Sequence, residues 1–402
     1  MKKKVKAKDT FLNSITYFAS GVSILVLGAV LWFLFSQGFS TLNWDLIKNN
    51  YWSQNLLGNV EKQAGDYPLT QEVEGVYSIE WGIALKDSVN AQKEKVLEVT
   101  YIHPDSPLKT MTSAVAGQNN REITLETGYS VQKIDIITAD GTATFTGKIM
   151  SQDAATVIAN IDGAQSITSM YFKTLGGGIR SSLITTLYLI VISLLIALPI
   201  GVSSAIYLHE YASKNKFNKL IRQGIETLTG VPSIVYGLMG VTVLFPITQL
   251  LGATTTSILL GGLTMSIILL PTIIKSTEEA LIVVPQSLRD GSLSLGATKS
   301  QTIFKVVLPC AINGILTGIL LSIGRVIGES AALIYTMGTF INDSPSLLSQ
   351  GTSLSVMIWS FMSGEQPNFQ LASAISIIIL IIVLVLNFVV KAIAKRFTKK
   401  FA

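Results

Sequence analysis

An arginine and a glutamate four residues apart, Arg325 and Glu329, sit inside the apolar run 311–337. At roughly 1.5 Å per residue, Arg325 falls about 20 Å along a helix over that run, near mid-bilayer depth. A charge there costs at least about 2.5–3.5 kcal/mol on insertion scales, so it must face protein or a polar cavity rather than lipid. The i,i+4 spacing places both side chains on one helix face, where they partly neutralise each other. A guanidinium so placed can receive a passing oxyanion through paired hydrogen bonds. Glu329 would then hold Arg325 in place and keep the anion from binding too tightly. The same two residues could instead be a structural bridge between helices.

Bond-breaking chemistry finds little support elsewhere. Gly291 and Gly296 have the first spacing of a phosphate-cradling loop, but Ala297-Thr298 stands where Lys-Ser/Thr is required. His209 lies in His-Glu-Tyr, which lacks the second histidine of a zinc-protease helix, and His103 falls on the other side of the membrane in the topology below. Cys310 is the single cysteine, beside Pro309 at the start of an apolar run, and reads as a small packing residue. These residues predict no catalysis and no metal or other cofactor.

The elements that must position Arg325 and Glu329 are membrane helices. Hydrophobic residues make up 49% of the 402 positions and charged ones 14%, against roughly 25% charged in soluble proteins. Six runs reach the length of a hydrocarbon core: residues 15–36, 179–207, 228–251, 256–274, 311–337 and 371–393. Basic residues cluster at Lys2, Lys3, Lys4, Lys6 and Lys8, then at Lys214, Lys216, Lys219 and Arg222, then at Lys275, Arg289, Lys299 and Lys305. A last group is Lys391, Lys395, Arg396, Lys399 and Lys400. Positive charge marks the cytoplasmic side, so both termini are expected inside a cell membrane crossed several times. The net charge of +5 is juxtamembrane; it implies contact with anionic lipid and requires no nucleic acid.

Between the first two runs, residues 45–173 carry more acids than bases and are expected outside the cytoplasm. Alternation predicts strands over 95–102, 122–125, 131–138 and 143–149, a hairpin turn at Asp140-Gly141 and a short helix over 152–161. Trp81-Gly82-Ile83-Ala84-Leu85, Val99–Ile102 and Ser106-Pro107 resemble the carboxylate loop, central strand and turn of a PDZ domain. That resemblance implies peptide binding by strand addition. Gly176-Gly177-Gly178 reads as a flexible joint into the second span. Pro199, Pro232 and Pro271 interrupt apolar runs. Among them Gly230-Val231-Pro232-Ser233 joins small residues to freed backbone and is a candidate pathway segment. Gly237 with Gly240, and Gly314 with Gly318, suit close helix contact.

The expected fold is an all-α polytopic membrane protein of six helices with an inserted extracytoplasmic, mainly-β domain. Residues 1–40 form the basic start and first helix, 41–175 the outer domain, and 176–402 the remaining membrane domain with a cytoplasmic loop over 276–309.

Residues 290–309, DGSLSLGATKSQTIFKVVLP, resemble the "EAA" loop of bacterial ABC-importer permeases. Asp290, Gly291 and Ser292 occupy the E-A-A positions, Gly296-Ala297 the glycine turn, Val306 the aliphatic position, and Leu308-Pro309 closes the motif. Further segments, including Ile206-Tyr207-Leu208-His209-Glu210-Tyr211-Ala212, Gly230-Val231-Pro232-Ser233 and Gly328-Glu329-Ser330-Ala331-Ala332, are similar to PstA-type permease subunits of the bacterial phosphate importer over about residues 175–395. This resemblance implies the ABC-importer permease fold and import of inorganic phosphate. It implies a PstC-type permease partner, PstB-type ATP-binding subunits that hold and hydrolyse the ATP, and a PstS-type phosphate-binding protein. It further implies that Arg325, Glu329, Gly230, Pro232 and Ser233 line the pathway. Asp290, Gly291, Ser292, Gly296, Ala297, Leu308 and Pro309 would dock on the ATPase. A PstC-type subunit, a permease for another oxyanion, and a membrane-anchored peptide sensor remain as alternatives.

Overall fold

The structure is a computed structural model that describes residues 2–60, 63–69, 72–89, 95–114, 121–174, 176–213, 215–364 and 367–401, with side chains from 13 to 396. Lys214 and the side chains of Lys2, Lys3, Lys4, Lys6, Lys8, Lys399 and Lys400 therefore lie outside the described residues. The chain divides into two units, one of residues 1–43 with 181–402 and one of residues 44–180.

Helix α1 (Lys2–Gly38) opens the first unit. The second unit begins with α2 (Trp44–Lys48) and continues through β1 (Asn55–Asn59), β2 (Val76–Ser78), β3 (Ile83–Val89), β4 (Lys95–Ile102) and β5 (Thr110–Ser113). It closes with β6 (Glu122–Thr124), β7 (Ser130–Thr138), β8 (Ala143–Thr146), α3 (Ala154–Asp162) and β9 (Ala164–Lys173). The strands form one sheet in the order β2-β3-β4-β7-β9-β1-β5-β6, with β8 on β7. Leu97 and Val99 of β4 and Ile134 and Ile136 of β7 alternate into a common core with Trp81, Val157, Ile161, Met170 and Phe172, and a bulge after Val131 of β7 turns that residue inward too. Sequence alternation gives β4 residue for residue and β7 to within one position. It misses β9, the strand that joins β7 to β1. The expected strand 143–149 stops at Thr146, where Gly147 takes φ +136 and a short 3-10 turn follows.

Two further readings of this unit change. Trp81 is fully buried and its indole donates to the Ile161 carbonyl at 2.9 Å, while the Gly82 amide donates to Ser78. The flank of β3 over Ile83–Leu85 is already paired with β2 of the same chain, so no free edge exists there for a peptide strand. Gly176-Gly177-Gly178 is also not a loose joint. The amides of Gly177, Gly178 and Ile179 donate to the carbonyls of Tyr51, Asn50 and Leu46. A β-carbon on Gly178 would stand 2.0 Å from the Asn49 carbonyl oxygen, so glycine serves a close backbone crossing.

The first unit resumes with α4 (Arg180–Ile206), extended by a π-helical stretch over Tyr207–Tyr211. Next come α5 (Lys216–Thr229), α6 (Ser233–Met239), a second π-helical stretch over Gly240–Leu244, α7 (Phe245–Leu250) and α8 (Ile258–Ile282). Two short helices, α9 (Gln286–Ser294) and α10 (Lys299–Thr302), precede a third π-helical stretch over Ile303–Val307. The unit ends with α11 (Leu308–Gly328), α12 (Ala331–Met337), α13 (Leu354–Ser363) and α14 (Phe369–Phe401). Among the described residues, six segments are long and apolar enough to cross a membrane: Asn13–Thr41, Arg180–Tyr211, Ser233–Leu250, Ile258–Ile282, Lys299–Gly328 and Phe369–Arg396. Pro199 and Pro271 lie inside α4 and α8, which continue past them. Span Ile258–Ile282 is the most buried of the six, and Leu260, Met265, Leu269 and Ile273 carry its contacts inward. Small residues allow this proximity. A β-carbon on Gly314 would stand 2.4 Å from the Ala280 methyl, and one on Gly240 2.3 Å from the Thr264 hydroxyl.

Candidate functional site

The expected continuous helix over 311–337 is broken at the charged pair. α11 ends at Gly328, Glu329 is extended with φ −78 and ψ 126, and α12 starts at Ala331. The one-face argument for Arg325 and Glu329 therefore fails, because i,i+4 neighbours meet only while the helix continues. Glu329 has a different partner: its Oε1 accepts from the Ala332 amide at 3.3 Å. An amide in the first turn of a helix has no intrahelical acceptor, so a carboxylate there supplies a cap. The Glu329 carbonyl in turn accepts from the Ser355 hydroxyl. Arg325 is exposed, and among the described residues it has no ion-pair partner. Its guanidinium is left available, three residues before the end of α11 and of span Lys299–Gly328 rather than at the mid-span depth expected.

The segment Gly230-Val231-Pro232-Ser233 is the other break. α5 ends at Thr229, Gly230 follows it, and Pro232 caps α6, whose first residue is Ser233. The Tyr236 hydroxyl spans the break and donates to the Leu228 carbonyl at 2.8 Å. A β-carbon on Gly237 would lie 2.9 Å from the Ala332 backbone, so α6 and α12, the two helices that follow the breaks, pack directly on each other. Both breaks fall at span ends rather than within them: Gly230–Pro232 precedes Ser233–Leu250, and Glu329 follows Lys299–Gly328.

The EAA-like loop folds as helix, turn, helix. α9 carries Asp290, Gly291 and Ser292, Gly296 turns with φ +85, and α10 follows. That φ lies in the left-handed region, which glycine adopts without side-chain conflict. The amides of Gly296 and Ala297 donate to the Leu293 and Ser292 carbonyls and close the turn. Thr298 and Gln301 form a reciprocal cap on α10, and the Ser292 and Thr302 hydroxyls meet at 2.9 Å across the two helices. Asp290 is exposed and accepts from Gln286 Nε2 at 3.0 Å. Leu308 and Pro309 follow the π-helical stretch Ile303–Val307 directly, inside the continuous helical span Lys299–Gly328. Leu288, Leu293 and Leu295 stand 42%, 47% and 91% exposed on the same loop, an unusual display of apolar side chains.

Two charged residues here escape sequence reasoning. Arg289 of α9 is buried and forms an ion pair with Glu210 of the π-helical stretch that ends the second span. The sequence offers Arg289 only as one of the basic residues marking the inner side, and Glu210 only as part of a motif. Their chain separation of 79 residues leaves no periodic signal.

The sequence matches a family of membrane permeases. The profile described as "Binding-protein-dependent transport system inner membrane component" matches residues 197–402, and the chain belongs to that family as a multi-pass membrane protein. Among curated relatives, it is 38% identical over 184 residues to "Probable ABC transporter permease protein YqgI" of Bacillus subtilis (strain 168), covering 44% of this chain and 61% of that protein. It is 33% identical over 210 residues to "Phosphate transport system permease protein PstA 2" of Mycobacterium bovis (strain ATCC BAA-935 / AF2122/97), covering 51% of this chain and 67% of the relative. The chain thus spans less than two thirds of the Bacillus relative. A solved inward-facing MetNI methionine ABC transporter chain is 19% identical with a TM-score of 0.44, covering 55% of this chain and 94% of that one.

Proposed function

We propose that the chain is the PstA-type permease subunit of an ATP-driven importer of inorganic phosphate. The observation that carries the reading is the EAA-like loop: a helix–turn–helix around the left-handed Gly296 that presents exposed leucines beside a polar helix. A loop of that form suits docking on another chain. Relatives named as phosphate-transport permeases supply the substrate class. The free Arg325 supports it, since a guanidinium matches phosphate oxygens by a planar fork of donors.

In this reading the chain catalyses no reaction. PstB-type subunits bind and hydrolyse ATP, docked on Asp290, Gly291, Ser292, Gly296, Ala297, Leu308 and Pro309. A PstC-type permease completes the pathway, with Arg325, Gly230, Pro232 and Ser233 along it and Glu329 holding the adjoining helix. A PstS-type protein delivers phosphate to the outer side, where residues 44–180 reside, and both termini are cytoplasmic.

Reconstitution with these partners in liposomes tests the assignment. Uptake of labelled phosphate that requires ATP inside and the binding protein outside is the expected result. Uptake of sulfate or molybdate in place of phosphate would reassign the substrate, and absence of any ATP-driven uptake would overturn the reading.

A further inference from the structure

Arg289 makes more directed contacts than a solvated loop arginine. One of its nitrogens is 2.9 Å from Glu210 Oε1, with each side chain only 10% exposed. The same nitrogen donates to the Leu281 carbonyl at 3.0 Å, and the other donates to the Val284 carbonyl at 2.7 Å. These carbonyls lie at the C-terminal end of α8, whose last acceptors have no intrahelical donor. One guanidinium therefore ties α9 to the ends of two membrane spans, α8 directly and α4 through Glu210. His209 Nδ1 stands 3.1 Å from the same Glu210 oxygen. A second arginine reinforces the end of α4: Arg222 of α5 donates to Glu278 of α8 and to the Leu208 carbonyl, both at 2.7 Å.

A buried ion pair gives back in desolvation much of what it gains in attraction, so net stability alone does not account for it. The distinctive property of this pair is directional. A planar guanidinium bound at three acceptors fixes the position and tilt of α9 relative to the spans, which a hydrophobic contact would leave free to slide. Meanwhile Leu288, Leu293 and Leu295 remain exposed on the same loop.

We propose that the Glu210–Arg289 pair is the positioning contact that passes a displacement of α9 into spans α4 and α8. The inference rests on the permease reading, in which α9 docks on an ATP-binding subunit. Neither residue touches substrate or nucleotide. Their effect is on the link between nucleotide hydrolysis and the membrane helices.

The test uses the complex reconstituted in lipid, with Glu210→Gln and Arg289→Lys variants. Glu210→Gln keeps volume and an acceptor but removes the charge; Arg289→Lys keeps the charge but not the fork. The expected result is that the ATP-binding subunit still co-purifies and basal hydrolysis persists. Stimulation by phosphate-loaded binding protein should fall by roughly 5–150-fold, the span of ordinary coupling energies, with Arg289→Lys the milder variant. Unchanged stimulation in both variants, or loss of co-purification in both, would overturn the positioning role. If the unmodified complex shows no stimulation, the permease reading fails, and hydrogen exchange on the chain alone decides the contact. Faster exchange in Gln286–Ser294 of Glu210→Gln, with Leu308–Gly328 unchanged, supports it; unaltered exchange in α9 overturns it.

Discussion

Gly318 of α11 faces Ser276 of α8 so closely that a β-carbon on the glycine would stand 2.0 Å from the serine hydroxyl. One turn earlier Gly314 faces Ala280 in the same way. Without water to drive association, helices in lipid gain stability from such backbone proximity. The free Arg325 lies on this same α11, seven residues past Gly318, so the contact helps set where that cation stands.

Gly318→Val should force the two spans apart. Overpacking of this kind costs about 1–3 kcal/mol. The expected outcome is a lowered thermal midpoint of the purified protein and reduced phosphate uptake. Ser276→Ala, which removes the facing hydroxyl, should be tolerated on its own and should partly rescue Gly318→Ala. An unchanged midpoint in Gly318→Val would show that the spans do not pack through this contact.

At Gly296 a different constraint acts. A β-carbon there meets nothing within 4 Å, so crowding is not the issue; φ +85 is. A β-branched residue in the left-handed region costs on the order of 1–2 kcal/mol, and asparagine less. Gly296→Val is expected to leave the protein in the membrane but lose phosphate-stimulated ATP hydrolysis in the complex. Gly296→Asn should keep part of it. Equal stimulation in both variants would mean that the turn does not matter to coupling.

The break after Gly328 separates the fates of its two charges. Arg325→Gln should abolish phosphate uptake while the complex still assembles, because the amide loses both charge and fork. Glu329→Gln retains a carbonyl oxygen that can accept from the Ala332 amide and should be mild. Glu329→Leu loses the cap, at about 0.5–2 kcal/mol, and should impair assembly. Exchanging the two residues should not restore transport, since they form no bridge to be reversed. Recovery in the exchanged protein would contradict that geometry.

Topology can be read with one thiol at a time in a Cys310→Ser background. Asp140, at the exposed hairpin turn before Gly141, should react as cysteine with an impermeant reagent added to intact cells. A cysteine at Lys216, at the start of α5, should react only after the membrane is opened. The reverse pattern would put the EAA-like loop on the wrong side for an ATP-binding partner.

Features set by single residues or near neighbours were legible in the sequence. Hydropathy is a sum over one segment, so each expected run overlaps a span, although the run expected at 311–337 lies at Lys299–Gly328. Alternation gives β4 and β7 because side chains of one strand sample opposite faces. Spacing to Leu308-Pro309 marks Gly296 as a turn, and small residues at i,i+4 mark Gly314 and Gly318 as a contact face.

What the tertiary structure decided depends on neighbours distant in the chain. A helical period presumes an unbroken helix. The chain stops α11 at Gly328 because Glu329 and Ser355 satisfy the backbone groups that the break releases. The glycines before α4 looked loose because the backbone of Leu46–Tyr51, which they cross, is remote in sequence. Glu210 and Arg289 are 79 residues apart and share no local pattern. Two charges can be buried only where folding brings their partners together, and that pairing exists only in three dimensions.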